Sequence, residues 1–383
     1  MMRRQVTVLG STGSIGRQAL DVVRARSDRF TLFGISANGN IDLLIEQANR
    51  WRPQYVACRH PLHPEDFPQG TTLLCGDSAL AELASMDEAD IVVNGISGLP
   101  ALEPLLCALK AGKRVALANK ESIVCGSQLV YAALHDFGGE LVPVDSEQSA
   151  IFQCLSCGSY EEIARLWLTA SGGPFWDMSD EELEHVTVRD ALRHPTWHMG
   201  RKITVDSATL FNKGLEIMEA SYLFQIPAER IDVLIHPQSI VHSMVEFSDR
   251  TVMANLSCPD MRLPIQYAMT YPERVPSPCE RLSLSDVGQL TFFPADRNRY
   301  AGLRLAYEAL FAGGTMPTVY NAANEVAVKL FLEERLGFTD IAHCVEEAML
   351  RHAVRPVNLM QDILDADAEA RLSVAHFLHT HFE

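Results

Sequence analysis

An α/β fold with a helical C-terminal part is the class this sequence predicts, and three observations predict it. A strand of buried type, Gln5–Leu9 (QVTVL), runs straight into a glycine-punctuated turn and an amphipathic run, Arg17–Arg26. Short apolar strands and helical runs then alternate as far as Ala118, as the βα units of a parallel sheet do. From Arg299 onward the spacing is helical: Tyr300–Ala312, Thr318–Glu334, Asp340–Leu350 and Val357–Phe377. The 383 residues are enough for two or three domains with an ample core.

The turn after the first strand reads Gly10-Ser-Thr-Gly13-Ser-Ile-Gly16. Strand, glycine turn and helix in that order form a dinucleotide fingerprint, here spaced G-x-x-G-x-x-G. Its glycines let backbone N–H groups approach a pyrophosphate at the helix N-terminus. The same spacing also fits a tight βα turn with no ligand. The next strand, Thr31–Ser36, ends in Ala37-Asn38-Gly39-Asn40 with no carboxylate. A ribose-binding acid is the mark of NAD sites, so its absence favours NADP, although the turn holds no Arg or Lys either.

Further βα units follow. Ile41, Leu44, Ile45 and Ala48 line one helix face, and Gln54–Cys58 reads as a strand. Arg59–Gly70, rich in Pro and His, reads as a solvated loop. Strands Ile91–Val93 and Val115–Ala118 flank the helical run Leu99–Lys110. Asn94-Gly95 and Asn119-Lys120-Glu121-Ser122 therefore sit at strand C-termini, the edge where open parallel sheets bind ligands. Lys120 fits either a ligand contact there or a surface helix cap.

Leu141–Val144 reads as another buried strand, ending in Asp145-Ser146-Glu147. On an extended chain, side chains two apart share a face, so both acids point the same way. Such a pair needs a proton or a cation between its members, or open solvent around it. Oxygen donors without Cys or His suit Mg²⁺ or Mn²⁺ rather than Zn²⁺.

The apolar strand Leu166–Thr169 ends in Ser171-Gly172-Gly173-Pro174, either an anion-approach turn or an ordinary one. His194-Pro-Thr-Trp197-His-Met199-Gly200 has weak periodicity and suits a lid, or a loop anchored by Trp197. Ile203–Val205 leads into Asp206–Glu216, which opens a helix to about Phe224. Ser207 at that start presents a hydroxyl and an N–H to a phosphate, and Asn212 and Lys213 add a donor and a cation. Glu216 offers a third carboxylate to Asp145 and Glu147. An ordinary capped helix with a Lys–Glu pair also fits. His236–Ser239 precedes a strand, Val241–Phe247. His242 there lies near the pocket or is simply packed. Prolines 272, 276 and 278 punctuate a connector after the Met261–Met269 helix.

Composition narrows the partners. A formal charge of −17 argues against nucleic acid and anionic membranes, but not against a small phosphate in a local pocket. Nine cysteines and no signal peptide ahead of the first strand predict a reducing cytoplasm. Cys154-x-x-Cys157 has no second pair, and its helical register with Ile151 and Leu155 favours core packing. No apolar run is long enough to cross a bilayer.

In order along the chain stand GSTGSIG (Gly10–Gly16), ANKES (Ala118–Ser122), VDSE (Val144–Glu147) and SGGPF (Ser171–Phe175). HPTWHMGRK (His194–Lys202), VDSATLFNKGLE (Val205–Glu216) and HPQSIVHSMVEF (His236–Phe247) complete the series. Together they closely resemble the 1-deoxy-D-xylulose-5-phosphate reductoisomerase family over essentially the whole chain. The resemblance implies a Rossmann-like NADPH-binding domain (residues 1–145) and an α+β catalytic domain that binds metal and substrate (146–270). A linker (271–298) and a C-terminal helical domain (299–383) would follow, in a homodimer.

It also implies that Asp145, Glu147 and Glu216 hold Mg²⁺ or Mn²⁺, with Co²⁺ a third candidate, and act in catalysis beside Lys120 and His194. It places a phosphorylated substrate against Lys120, Ser146, Glu147, Ser171, His194, Trp197, Ser207, Asn212, Lys213 and Glu216. NADPH would meet Thr12, Gly13, Ser14, Ile15, Asn38, Gly39, Asn40, Asn119, Glu121 and Gly200. The implied chemistry is a metal-assisted retro-aldol/aldol rearrangement to an aldehyde, which NADPH reduces. Two positions depart from the family pattern: Gln148 stands where His is common, and Gly39 where some members carry a base. A plain NADP-dependent dehydrogenase of a phosphorylated sugar or semialdehyde is the competing reading. It would share the glycine turn but would not need the three acids.

Overall fold

The computed structural model describes residues 3–193, 197 and 199–381. They form two compact units: Met1–Ile123, Ser127–Ser149 and Asp260–Glu280, then Val124–Gly126, Ala150–Pro259 and Arg281–Glu383.

The first unit is built on seven strands. They are β1 Arg4–Leu9, β2 Phe30–Ser36, β3 Tyr55–Cys58, β4 Thr72–Cys75, β5 Ile91–Asn94, β6 Arg114–Leu117 and β7 Glu140–Pro143. Their order is β4-β3-β2-β1-β5-β6-β7, with every pairing parallel. Central strands of such a sheet are covered on both faces and read as continuous apolar runs. Val6, Val8, Ile91, Val92 and Val93 have no exposed surface. Strand order reverses between β1 and β5, and open sheets of this kind bind ligands outside the strand C-termini at that point. Helix Arg262–Thr270 returns to this unit and packs on the Ser14–Ala25 helix and on β6 and β7.

The second unit holds a five-stranded mixed sheet: β8 Ile163–Ala170, β9 Ile231–Ile235, β10 Val241–Phe247, β11 Val252–Leu256 and β12 Phe293–Pro294. Its order is β11-β10-β8-β9-β12, and only β8 and β9 run parallel. Helix Phe211–Phe224 lies between this sheet and the C-terminal helices. Ile217, Ala220 and Phe224 join the core over β8, β9 and β10. Leu215 and Met218 join the core of the helices Ala301–Ala312, Met316–Leu332, Asp340–Arg351 and Met360–His381. These four are the helices that the tail's periodicity predicts.

Two local expectations are corrected. Asp145-Ser146-Glu147 is not extended: β7 stops at Pro143, and a helix begins at Ser146 (Ser146–Cys154). Ser149 N donates to Asp145 O at 2.8 Å, so Asp145 stands at the helix start, where Asp and Ser are favoured. The run from Asp206 is likewise two helices, Arg201–Ala208 and Phe211–Phe224, broken at Leu210 with φ +58°. Cys154 is buried in the sheet core, as its register predicts, whereas Cys157 is exposed.

Candidate active site

The glycine turn carries the first half of the site. Gly16 lies so close under the turn that a Cβ there would sit 2.2 Å from Gly10 O. The turn is pinned from β2, where Ser11 N donates to Ser36 O at 2.8 Å, and from the next helix, where Ser11 Oγ donates to Gln47 Oε1 at 2.6 Å and Gln47 Nε2 donates to Ser11 O at 2.9 Å. Gly13 caps the Ser14–Ala25 helix without a side-chain bond, and Gly13 and Ser14 are exposed, flanked by half-buried Thr12 and Ile15. Beside it, Asn38, Gly39 and Asn40 are exposed after β2, with Asn40 Oδ1 capping the next helix through Leu43 N at 3.0 Å. Gly16→Ala must move the turn away from the helix. We expect dinucleotide affinity to fall at least about tenfold, about 1.4 kcal/mol, in a fluorescence titration.

β6 and β7 are neighbours, so the residues after them meet. Asn119 caps helix Lys120–Phe137 by accepting from Ser122 N at 2.9 Å, and its Nδ2 donates to Glu121 Oε2 at 2.7 Å and to Gly98 O at 3.1 Å. That cap aims Lys120 across to Asp145, Nζ to Oδ2 2.5 Å, with both side chains largely buried. Asp145 Oδ2 is shielded from solvent and has no aligned hydrogen-bond donor, so the lysine ammonium is an ionic partner only. Ser146 Oγ donates to Glu147 Oε2. Gln148 is fully buried.

In the second unit, three predicted residues share one helix. Asn212 Nδ2 donates to Glu216 Oε1, and Lys213 Nζ pairs with Glu216 Oε2. Lys213 and Glu216 are 4% and 1% exposed. Charges buried to that degree are tolerated only when paired and hydrogen-bonded. Asp145, Glu147 and Glu216 are a set of acids that could hold a metal ion. Three hard anionic donors, one with a shielded oxygen lacking an aligned donor, suit a divalent cation of the Mg²⁺ or Mn²⁺ type.

Ser171 follows β8, and its Oγ accepts from Gly173 N at 3.2 Å. Gly173, at φ +65°, lies against the end of the Arg201–Ala208 helix, where a Cβ would meet Ala208 Cα at 2.8 Å and Ser207 O at 3.0 Å. Ser171 and Ser207 thus belong to neighbouring turns. Ser207 does not open the helix that carries Lys213, however; it lies near the C-terminal end of the preceding one, so only its hydroxyl, and not a helix-start N–H, remains for a phosphate. Trp197 is half-buried, its ring 6.4 Å from that of His242, whose Nε2 lies 2.8 Å from Ser257 Oγ. Gly200 is exposed and begins the Arg201–Ala208 helix. His194 lies outside the described residues.

Supporting residues were missed because their partners are remote in sequence. Tyr320 is fully buried, which pushes its phenol well above the usual range. Its hydroxyl donates to Gly302 O at 2.9 Å and Phe211 O at 3.3 Å, fixing the start of the Asn212–Glu216 turn. Asp206, 1% exposed, pairs with Lys202 Nζ at 2.7 Å and accepts from Asn324 Nδ2 at 2.8 Å. His236 is likewise structural: Ile240 N and Val241 N donate to its Nε2, its Nδ1 lies 2.8 Å from Thr291 O, and burial lowers its pKa.

The chain matches three family descriptions in sequence. These are 1-deoxy-D-xylulose 5-phosphate reductoisomerase over residues 6–127, its C-terminal domain over 141–224, and the DXP reductoisomerase C-terminal domain over 256–373. A Bacillus thuringiensis relative, "1-deoxy-D-xylulose 5-phosphate reductoisomerase 2", is 48% identical over 372 residues, covering 96% of this chain and 98% of the relative. A Synechococcus reductoisomerase is 48% identical over 380 residues, 97% and 96% of the two chains. The reductoisomerase of Zymomonas mobilis in complex with NADPH superposes with TM-score 0.93 at 40% identity, over 99% of this chain and 100% of that one. A DOX-P reductoisomerase in complex with NADPH, fosmidomycin and magnesium superposes with TM-score 0.90 at 36% identity, over 98% of each chain. On this identity, spread over the whole length, the chain belongs to the 1-deoxy-D-xylulose 5-phosphate reductoisomerase family.

Proposed function

We infer that this protein converts 1-deoxy-D-xylulose 5-phosphate into 2-C-methyl-D-erythritol 4-phosphate, with NADPH and a divalent metal, in the non-mevalonate route to isoprenoid precursors. The observation that carries the reading is the set of three acids, Asp145, Glu147 and Glu216, in a chain that also has a glycine turn for a dinucleotide. Glycine turn and acids together are what a reductoisomerase needs and a plain dehydrogenase does not. Bound metal supplies Lewis acidity toward the substrate's oxygens, and bound NADPH supplies the hydride.

The chain's own residues bind, orient and exclude water. Asp145, Glu147 and Glu216 are the metal ligands in this reading. Lys120 restrains Asp145 and offers a cation at the reacting end, and Ser146 contacts the substrate there. Ser171, Ser207, Asn212 and Lys213 hold the phosphate, so binding energy far from the reacting carbons fixes their orientation. The segment with His194 and Trp197 closes over the bound substrate and keeps water from the aldehyde. Thr12–Ile15, Asn38–Asn40, Asn119, Glu121 and Gly200 take the cofactor. Exposed Val252, Met253 and Leu256 on edge strand β11 support a homodimer, which sedimentation would test. Among the described residues no helix is long and apolar enough to cross a membrane. We place the protein in the cytoplasm.

The direct test is oxidation of NADPH on adding the substrate with Mg²⁺ or Mn²⁺. Loss of the signal with chelator supports the reading, and undiminished turnover without metal refutes it. NADPH should also be preferred to NADH, since no acid ends β2; equal kcat/KM for the two would remove that part.

A further inference from the structure

We propose that Arg59 is the residue that selects NADPH, by pairing its guanidinium with the 2′-phosphate. This deepens the cofactor reading above and rests on it. The turn after β2, where the adenine-side ribose of a bound dinucleotide would lie, contains no base. Gly39 is not demanded by the backbone: its φ is not left-handed, and no atom lies within 4 Å of a Cβ built there. The turn therefore leaves open space, and a cation must come from a neighbouring element.

Geometry supplies one. β2 and β3 run parallel in register, Ser36 opposite Ala57, and Ala37 N continues the pairing to Ala57 O at 3.3 Å. Beyond the strands, Arg59 N donates to Asn38 Oδ1 at 2.9 Å, tying the segment after β3 to the turn itself. The Arg59 side chain is 64% exposed. Its Nε donates to Asp77 Oδ1 at 2.6 Å, which leaves both Nη groups for another anion. Asp77 is 84% exposed, and ion pairs so open to water are weak and readily exchanged. A planar guanidinium with two remaining N–H edges matches a phosphate better than a carboxylate on one edge. In a chain of net charge −17, affinity for a dianion must come from such a local cation.

The test is titration of the purified protein with NADP⁺ and, separately, NAD⁺, for wild type, Arg59→Ala, Arg59→Lys and Asp77→Asn. Arg59→Ala should weaken NADP⁺ by roughly ten- to a hundredfold and leave NAD⁺ unchanged, the loss of one charge-assisted contact. Arg59→Lys should recover part of that loss, and Asp77→Asn should bind NADP⁺ at least as tightly as wild type. Equal losses for both nucleotides, no loss for either, or a loss in Asp77→Asn matching Arg59→Ala would each overturn the assignment. Discrimination by the wild type that survives Arg59→Ala assigns selection to another residue. A wild type that does not discriminate removes the NADPH preference itself.

Discussion

Glu216→Gln should reduce metal-dependent kcat/KM by about a thousandfold or more while leaving NADPH affinity near wild type. Loss of one hard anionic ligand removes about 4 kcal/mol or more of transition-state stabilisation, and each 1.36 kcal/mol is about a decade. Shape is nearly conserved, so the change is one of charge. Glutamine can still accept from Lys213, but it places an amide NH₂ where a carboxylate oxygen stood. The variant also neutralises the carboxylate that pairs with the Lys213 ammonium, which is 4% exposed. Some thermal destabilisation is therefore expected, and activity alone does not isolate the metal site. The sharper reading is the rise in Tm on adding Mn²⁺, present in wild type and absent in Glu216→Gln. Wild-type turnover at limiting metal, or an undiminished Mn²⁺ shift, removes Glu216 from the ligand set.

Lys213→Ala should lower kcat/KM for the phosphorylated substrate by roughly ten- to a hundredfold, the loss of one charge-assisted contact of about 1.5–3 kcal/mol. The buried pair adds a second expectation. Removing Lys213 takes the ammonium away from a carboxylate that is 1% exposed, and breaking such buried pairs costs about 3–5 kcal/mol. Tm should fall, and bound metal should restore part of it by supplying the missing positive charge. An unphosphorylated analogue separates the two roles. If Lys213 meets the phosphate, the analogue's poor turnover hardly changes. If it acts only through Glu216, both substrates lose equally, and the phosphate assignment is abandoned.

The parts of the fold that were legible in the sequence are those decided locally. Gln5–Leu9, the glycine turn and the helix behind it need no distant partner to be read, and the four C-terminal helices follow from apolar spacing alone. The helix break at Leu210 is of another kind. Its neighbours are held by Tyr320 and Gly302, about a hundred residues further on, and nothing between Asp206 and Glu216 signals it. Ser207 therefore has the local look of a helix start but lies near a helix end. The Asp145 triplet departs from the extended expectation for a different reason. The apolar run through Val144 looked like strand, but Asp-Ser-Glu is also a good helix opening, and the local rule for the start won. The site's residue types were legible because hard acids, a lysine and small-residue turns carry their chemistry with them. Their supports, Tyr320, Asn324 and Gln47, were not, since a buried hydrogen-bond partner has no sequence signature of its own.

The central claim is a skeletal rearrangement coupled to reduction, and the product's carbon skeleton tests it most directly. The purified protein, NADPH and Mn²⁺ would be incubated with ¹³C-labelled 1-deoxy-D-xylulose 5-phosphate and the product taken to NMR. The account predicts a branched chain, with the methyl group on a quaternary, oxygen-bearing carbon and a new primary alcohol. A linear deoxypentitol phosphate, its methyl group on a secondary alcohol carbon, would mean simple carbonyl reduction and contradict it.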